Sequence, residues 1–128
     1  KEQLMENAAR QGALLRQRFH DLQRRFPVIG DMRGKGLLLA FELVANPETW
    51  EVLPPEWEAH QRVVDLAYER GLILYSRRTR GGYSGDHLLV CPPLIITSPQ
   101  LNELMEMLTS TLVAFTQEFG LADNGPSA

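Results

Sequence analysis

Arg77, Arg78 and Arg80 form the densest charge cluster in the chain, and glycines follow at 81, 82 and 85. A guanidinium stays protonated at any physiological pH and grips a carboxylate through its planar fork. Flanked by glycines, the cluster predicts a flexible basic loop over 77–85. That loop reads either as a carboxylate-binding arm or as a solvated surface loop. A single-stranded nucleic-acid site would need more basic residues interleaved with aromatics, and only Tyr83 is near. The three histidines, His20, His60 and His87, are not spaced as a metal-ligand set, so no metal is expected. His60 and His20 read as surface or satisfied side chains. His87 stands apart because Asp86 precedes it beside the glycines. Cys91 is the lone cysteine, which excludes a disulfide framework and a cysteine-rich metal site, and it reads as buried and inert. Gly30, Gly34 and Gly36 suggest a phosphate loop only superficially. Such a loop runs from a strand into a helix N-terminus, whereas here a strand follows, so a strand-entry turn is expected.

The elements that must position these residues are legible from periodicity. Leu4, Ala8, Leu15, Phe19, Leu22 and Phe26 share one helical stripe, and Pro27 ends that helix. Gly12 lies near the stripe and marks a close approach by another element. Leu37 to Val44 reads as a central strand, because the run is apolar on both faces. Residues 46–55, with three prolines, read as a loop. A second helix spans about Glu56 to Arg70, buries His60, Val63, Val64, Ala67 and Tyr68, and stops at Gly71. Leu72–Ser76 and Asp86–Val90 are predicted as strands of an antiparallel hairpin. Pro92 and Pro93 close the second of them. Ser98 is the expected N-cap of the last helix, with Pro99 in its first turn and Gly120 as its stop. The order α-β-α-β-β-α predicts an α+β fold: a small antiparallel sheet of about three strands covered by helices. The domain is expected over 1–122, with 123–128 as a flexible tail.

Composition narrows the classes. The 128 residues carry a net charge of −3 and are 44% hydrophobic, which argues against a nucleic-acid binder and against disorder. The longest apolar run, Leu37–Phe41, is far short of the ~20 residues of a membrane span. No signal peptide is read at the start, and a cytoplasmic setting is expected. Eleven of the 13 basic residues are arginine; Lys1 and Lys35 are the only lysines.

Together, several segments resemble a known family. Ile29-Gly30-Asp31-Met32-Arg33-Gly34-Lys35-Gly36-Leu37, running on to Glu42-Leu43-Val44, resembles the "VGDVRGxGLMxGxELV" signature of class III pyridoxal-phosphate-dependent aminotransferases. Arg70-Gly71-Leu72-Ile73 is similar to that family's "RGLI" step. The run from Gly85-Asp86-His87 through Pro92-Pro93-Leu94 to Thr97 is similar to its "GDHxxxxPPLxIT" segment. The opening helix around Gly12 and Leu15 also fits. The resemblance covers about residues 3–120 and is confined to the C-terminal small domain, with the ω-type enzymes most similar.

The resemblance implies a PLP enzyme that moves an amino group between an amine or ω-amino acid and a 2-oxo acid such as pyruvate. It implies that the cofactor is bound mainly by a large domain of the same enzyme. It also implies a homodimer and no nucleic-acid or membrane partner. A Schiff base needs a lysine. Lys1 is terminal and Lys35 sits in a glycine turn, so no catalytic residue is expected in this chain, and the chain alone is expected to be inactive. By the resemblance, this domain closes the active site and supplies a substrate-carboxylate arginine, with Arg78 favoured over Arg77 and Arg80. The family's mobile arginine would fall at Gly82, where this sequence departs, and the arginine of enzymes handling two-carboxylate substrates would fall at Leu89. Gly30, Arg33, Gly34, Gly36, Gly85, Asp86, His87, Pro92 and Pro93 carry the structural motif. The alternatives are a free-standing α+β module that binds small anions or regulates, and an interaction domain that dimerises through its helical stripes.

Overall fold

The computed structural model describes residues 2–80 and 84–126, and the side chains of these except at 2, 79, 80 and 84. The chain runs α1 (Glu2–Arg25), β1 (Ile29–Lys35), β2 (Leu38–Asn46), β3 (Glu51–Val52), a 3₁₀ turn (Pro55–Trp57), α2 (Ala59–Glu69), β4 (Tyr75–Arg80), β5 (Ser84–Val90) and α3 (Ser98–Phe119). It is the expected α+β arrangement, with three helices packed on one face of an antiparallel sheet. The sheet has five strands rather than three, in the order β1-β2-β5-β4, with β3 pairing with β2 off that path.

The two added strands have physical reasons. The glycine-rich stretch expected as a turn is strand β1, and its glycines serve close approach. A Cβ on Gly30 would lie 2.7 Å from a Val44 methyl, and one on Gly34 would lie 2.7 Å from the Leu38 carbonyl oxygen. The turn proper is confined to Gly36, with φ +58°, and Leu37. β3 is a two-residue pairing within the proline-rich loop, too short to leave a period in sequence.

One face of the sheet supplies Leu39, Phe41, Leu43, Leu88 and Val90 to the core. Leu15, Phe19, Leu22 and Phe26 of α1 meet them, and the Phe19 and Phe41 rings lie 4.8 Å apart between centroids. Full burial of side chains of this size contributes about 1.5–3 kcal/mol each. Leu4, expected on the buried stripe, is exposed, and Ala8 is half-buried. In α2, Ala59, Val63, Leu66 and Ala67 are buried, but Tyr68 is 73% exposed. Tyr68 stands one position too far round the helix to reach the sheet. α2 is tied to α3 by Arg62, whose guanidinium donates to both oxygens of Glu118. That contact raises the arginine's pKa and lowers the carboxylate's.

α3 starts one residue earlier than expected. Thr97, not Ser98, is the N-cap, and Ser98 is already helical. The Gln100 amide donates to Thr97 Oγ1 at 3.3 Å and the Thr97 amide donates to Gln100 Oε1 at 3.0 Å, a reciprocal capping box. Gly120 closes the helix at φ +65°.

After Gly120 the chain is fastened to α1. Arg25 donates to both oxygens of Asp123, and the Asn124 amide donates to the Arg25 carbonyl. The Asp123 carboxyl is held below its ordinary pKa, first by Arg25 and further by the Gly125 amide. A carboxylate whose pKa is depressed on folding adds stability above its unfolded pKa and loses it as pH falls through the folded value. The stability gap between the parent and Asp123→Asn is therefore expected to be present at pH 7 and to close below the normal carboxylate range. Urea melts across pH 2–7 will show whether it does.

Candidate functional site

Strand alternation sorts the basic cluster. The segment expected as a flexible loop is instead most of a hairpin. β4 runs to Arg80 and β5 starts at Ser84, so only 81–83, Gly81 and Gly82 among them, lie outside the described residues. Arg77 pairs with His87, Arg78 with Asp86 and Arg80 with Ser84. Successive side chains point to opposite faces of a sheet, so Arg77 and Arg78 stand on different faces. The Arg80 side chain lies outside the described residues.

Arg78 turns to the helical face and meets a buried carboxylate. Asp86 is 1% exposed. Its Oδ1 accepts from the His60 ring Nδ1 at 2.9 Å and from the His60 backbone amide at 3.2 Å. Arg78 Nε lies 3.7 Å from the same oxygen, is buried and makes no hydrogen bond. Its Nη2 donates to the Pro55 carbonyl at 2.6 Å. The His60 amide belongs to the first turn of α2, whose N-cap, Glu58, makes no side-chain cap and sits at φ 46°. Asp86 therefore caps α2 from across the fold while neutralising Arg78. The sequence carries a signal of this. The run Pro-Pro-Glu-Trp-Glu ahead of α2 offers no serine, threonine, aspartate or asparagine, so the cap has to come from elsewhere.

Arg77 turns to the other face, which no helix covers. Its side chain is exposed and makes no hydrogen bond or ion pair among the described residues. Its neighbours in register are His87 on β5 and Glu42 on β2, giving an acid–imidazole–guanidinium row across three strands. His87 Nδ1 lies 3.2 Å from the Gly85 carbonyl. A carbonyl only accepts, so Nδ1 carries the proton and, in the neutral ring, Nε2 is the free acceptor. Asp31, Arg33, Glu42 and His87 line a small cleft on this face, and Arg33 Nε donates to Asp31 at 2.8 Å. Gly85 sits at φ +80° in β5, and Pro92–Pro93 end that strand ahead of a turn in which the Ile96 amide donates to the Pro93 carbonyl.

Cys91, expected to be buried, is exposed, because it follows Val90 onto the open face. No group of three or more histidines, cysteines and acids that could hold a metal exists among the described residues. No helix among them is long and apolar enough to cross a membrane.

The fit of pyridoxal phosphate rests on Lys35, the one described lysine. It is exposed at the end of an edge strand and borders an open groove of about 320 Å³ with Gly36, Leu38, Cys91, Pro92 and Leu94. That lining holds no acid for a pyridine nitrogen and no second cation for a phosphate. The described residues do not fit a cofactor anchor.

Residues 1–112 match the class-III aminotransferase family. An aminotransferase of Schizosaccharomyces pombe is 35% identical over 115 residues, covering 89% of this chain and 25% of the relative. An (S)-enantioselective ω-transaminase from Thermomicrobium roseum superposes with a TM-score of 0.76 at 32% identity, over 89% of this chain and 24% of that one. A transaminase from a marine Virgibacillus superposes with a TM-score of 0.86 at 29% identity, over 93% and 26%. The chain spans about a quarter of the length of the relatives it matches. With its sheet and helices superposing on solved transaminases and its sequence matching from 1 to 112, the chain belongs to the class-III aminotransferase family.

Proposed function

We propose that residues 1–122 are the C-terminal small domain of an ω-type aminotransferase, with 123–128 as its tail. The whole enzyme, a cytoplasmic homodimer, exchanges an amino group between an amine or ω-amino acid and a 2-oxo acid such as pyruvate. The family membership and the likeness to an ω-transaminase support this reading. Pyridoxal phosphate, held mainly by the large domain of the same polypeptide, supplies the electron sink of such chemistry. This chain's part is to close the site and to bind and orient the substrate carboxylate. By itself it is inactive, and mixing it with pyridoxal phosphate should give no lysine-bound absorption band.

The observation that carries the reading is the exposed Arg77 of β4 on a sheet face that no helix covers. Arg77 can take a carboxylate without giving up a bond, whereas Arg78 would have to leave Pro55 and Asp86. We therefore place Arg77 first, ahead of Arg78 and Arg80. A charge-assisted contact is worth about 1.5–3 kcal/mol, roughly ten- to hundredfold in affinity. In the full-length enzyme, Arg77→Ala should raise the pyruvate KM at least about tenfold. If single alanines at 77, 78 and 80 all leave that KM unchanged, the hairpin is not the carboxylate clamp.

A further inference from the structure

We infer that Asp86 is a positioning residue for the oxo acid: it fastens the β4–β5 hairpin to α2, so that the hairpin presents its outer face at one fixed angle. This deepens the reading of the hairpin as the carboxylate arm and rests on it.

β4 is the edge of the sheet, with β5 as its neighbour. The β2–β5 pairing runs from Leu39–Val90 to Glu42–His87. Arg77 and His87 stand level with the end of that pairing, and the pairs Arg78–Asp86 and Arg80–Ser84 lie beyond it. The end of the hairpin is therefore a two-stranded ribbon, which is marginal unless another element packs on it. The support comes from the helical side. Asp86 Oδ1 accepts from the amide and the ring of His60, and Arg78 Nη2 donates to the Pro55 carbonyl. Pro55 opens the 3₁₀ turn ahead of α2, and His60 lies in the first turn of α2. Arg77 is the chain neighbour of Arg78, about 3.8 Å away between Cα atoms. Any shift of the inward arginine is thus passed to the outward one.

The cluster is better built to fix geometry than to add stability. A buried ion pair is a weak source of net stability, and here Arg78 Nε lies 3.7 Å from Asp86 Oδ1 without a hydrogen bond. The capping of α2 is equally indirect. A serine, threonine, aspartate or asparagine at 58 would cap the helix locally. Glu58 instead sits at φ 46° without a side-chain cap, and Asp86 takes the His60 amide from 26 residues away. A cap borrowed from another element makes the helix and the hairpin move together. On the outer face the His87 ring donates to the Gly85 carbonyl at 3.2 Å, so the backbone around Asp86 is held from both sides.

In the full-length enzyme, Asp86→Ala should raise the pyruvate KM about three- to thirtyfold. The KM of an amine donor that carries no carboxylate should stay unchanged. The double variant Asp86→Leu, Arg78→Met is the more stable protein, yet its pyruvate KM should remain raised, because the tie to α2 is still missing. A pyruvate KM that returns to the parent value together with the melting temperature would show a purely structural role and overturn the inference. An unchanged KM in Asp86→Ala, or an equal rise for both substrates, would do the same. So would a fall in the pyruvate KM, which would make the released Arg78 the carboxylate binder itself. If Asp86→Ala does not fold, the double variant decides by the same comparison of the two substrates. An unchanged pyruvate KM in Arg77→Ala would sink the assignment of Arg77. A selective rise in the Asp86 variants would then still support the positioning role, acting through another group of the hairpin.

Discussion

Replacing Gly12 with alanine will destabilise the fold by about 3 kcal/mol or more, lowering the melting temperature by roughly 10 °C or more. Two effects oppose each other. Alanine in mid-helix gains about 1 kcal/mol over glycine. Against this, the new Cβ would stand 2.0 Å from the Gly36 carbonyl oxygen and 2.5 Å from its carbon. Both are backbone atoms, so no side-chain rotation relieves the contact. Neither partner can retreat freely: Leu15 and Phe19 hold α1 in the core, and Arg16 Nη1 donates to the same Gly36 carbonyl at 2.8 Å. The clash wins. Gly36 provides the control. A Cβ there meets nothing within 4 Å, and its cost is the positive φ of +58° alone. Gly36→Asn should therefore lose about 1 kcal/mol, since asparagine tolerates that region best. Thermal melts of the two variants against the parent will decide, and a Gly12→Ala protein as stable as the parent would refute the packing argument.

Loss of the Asp86 carboxylate comes next in size. Asp86→Ala removes the one acid beside Arg78, the ring partner of His60 and the cap of α2 in a single step. Leaving a buried charge without its partner costs about 3–5 kcal/mol. Arg78 retains only the Pro55 carbonyl, and its Nε is already without a hydrogen bond. A buried ion pair is a weak source of net stability, however, so replacing both partners by apolar residues recovers much of the loss. The double variant Asp86→Leu, Arg78→Met should be clearly more stable than Asp86→Ala in urea titrations. A His60–Asp86 double-mutant cycle should return a coupling of about 0.5–3 kcal/mol. Additive single effects would mean that the 2.9 Å contact carries no energy.

How much of this was legible in the sequence depended on the range of the cause. α1 and α3 declare themselves through stripes that repeat every turn, and Gly12 was readable as a point of close approach because a glycine inside so regular a helix has few other uses. Gly71 and Gly120 end their helices where expected, at φ +86° and +65°. β1 was not legible, because its glycines answer to Val44 and Leu38 across the strand, and turn chemistry looks the same in one dimension. The cap expected at Ser98 falls one residue earlier, at Thr97, where Gln100 three residues on is the capping-box signal. In the site, the arginine cluster was visible, but its division was not. Arg77 and Arg78 differ only once 75–80 is a strand rather than a loop. The partnership of His60 with Asp86 spans 26 residues and two elements. Its one trace is a missing local cap.

That alternation also makes the register of β4 an inherited switch. Two adjacent arginines have opposite surroundings because one residue separates the faces of a strand. Deleting a single residue from the 71–74 connection would slide β4 by one step and exchange them, with no new side chain required. The arginine now tethered inside would be presented outward, and its neighbour would turn in toward Asp86. A change of length beside β4 thus re-sorts both side chains in one step, a shorter evolutionary path than substituting each of them in turn.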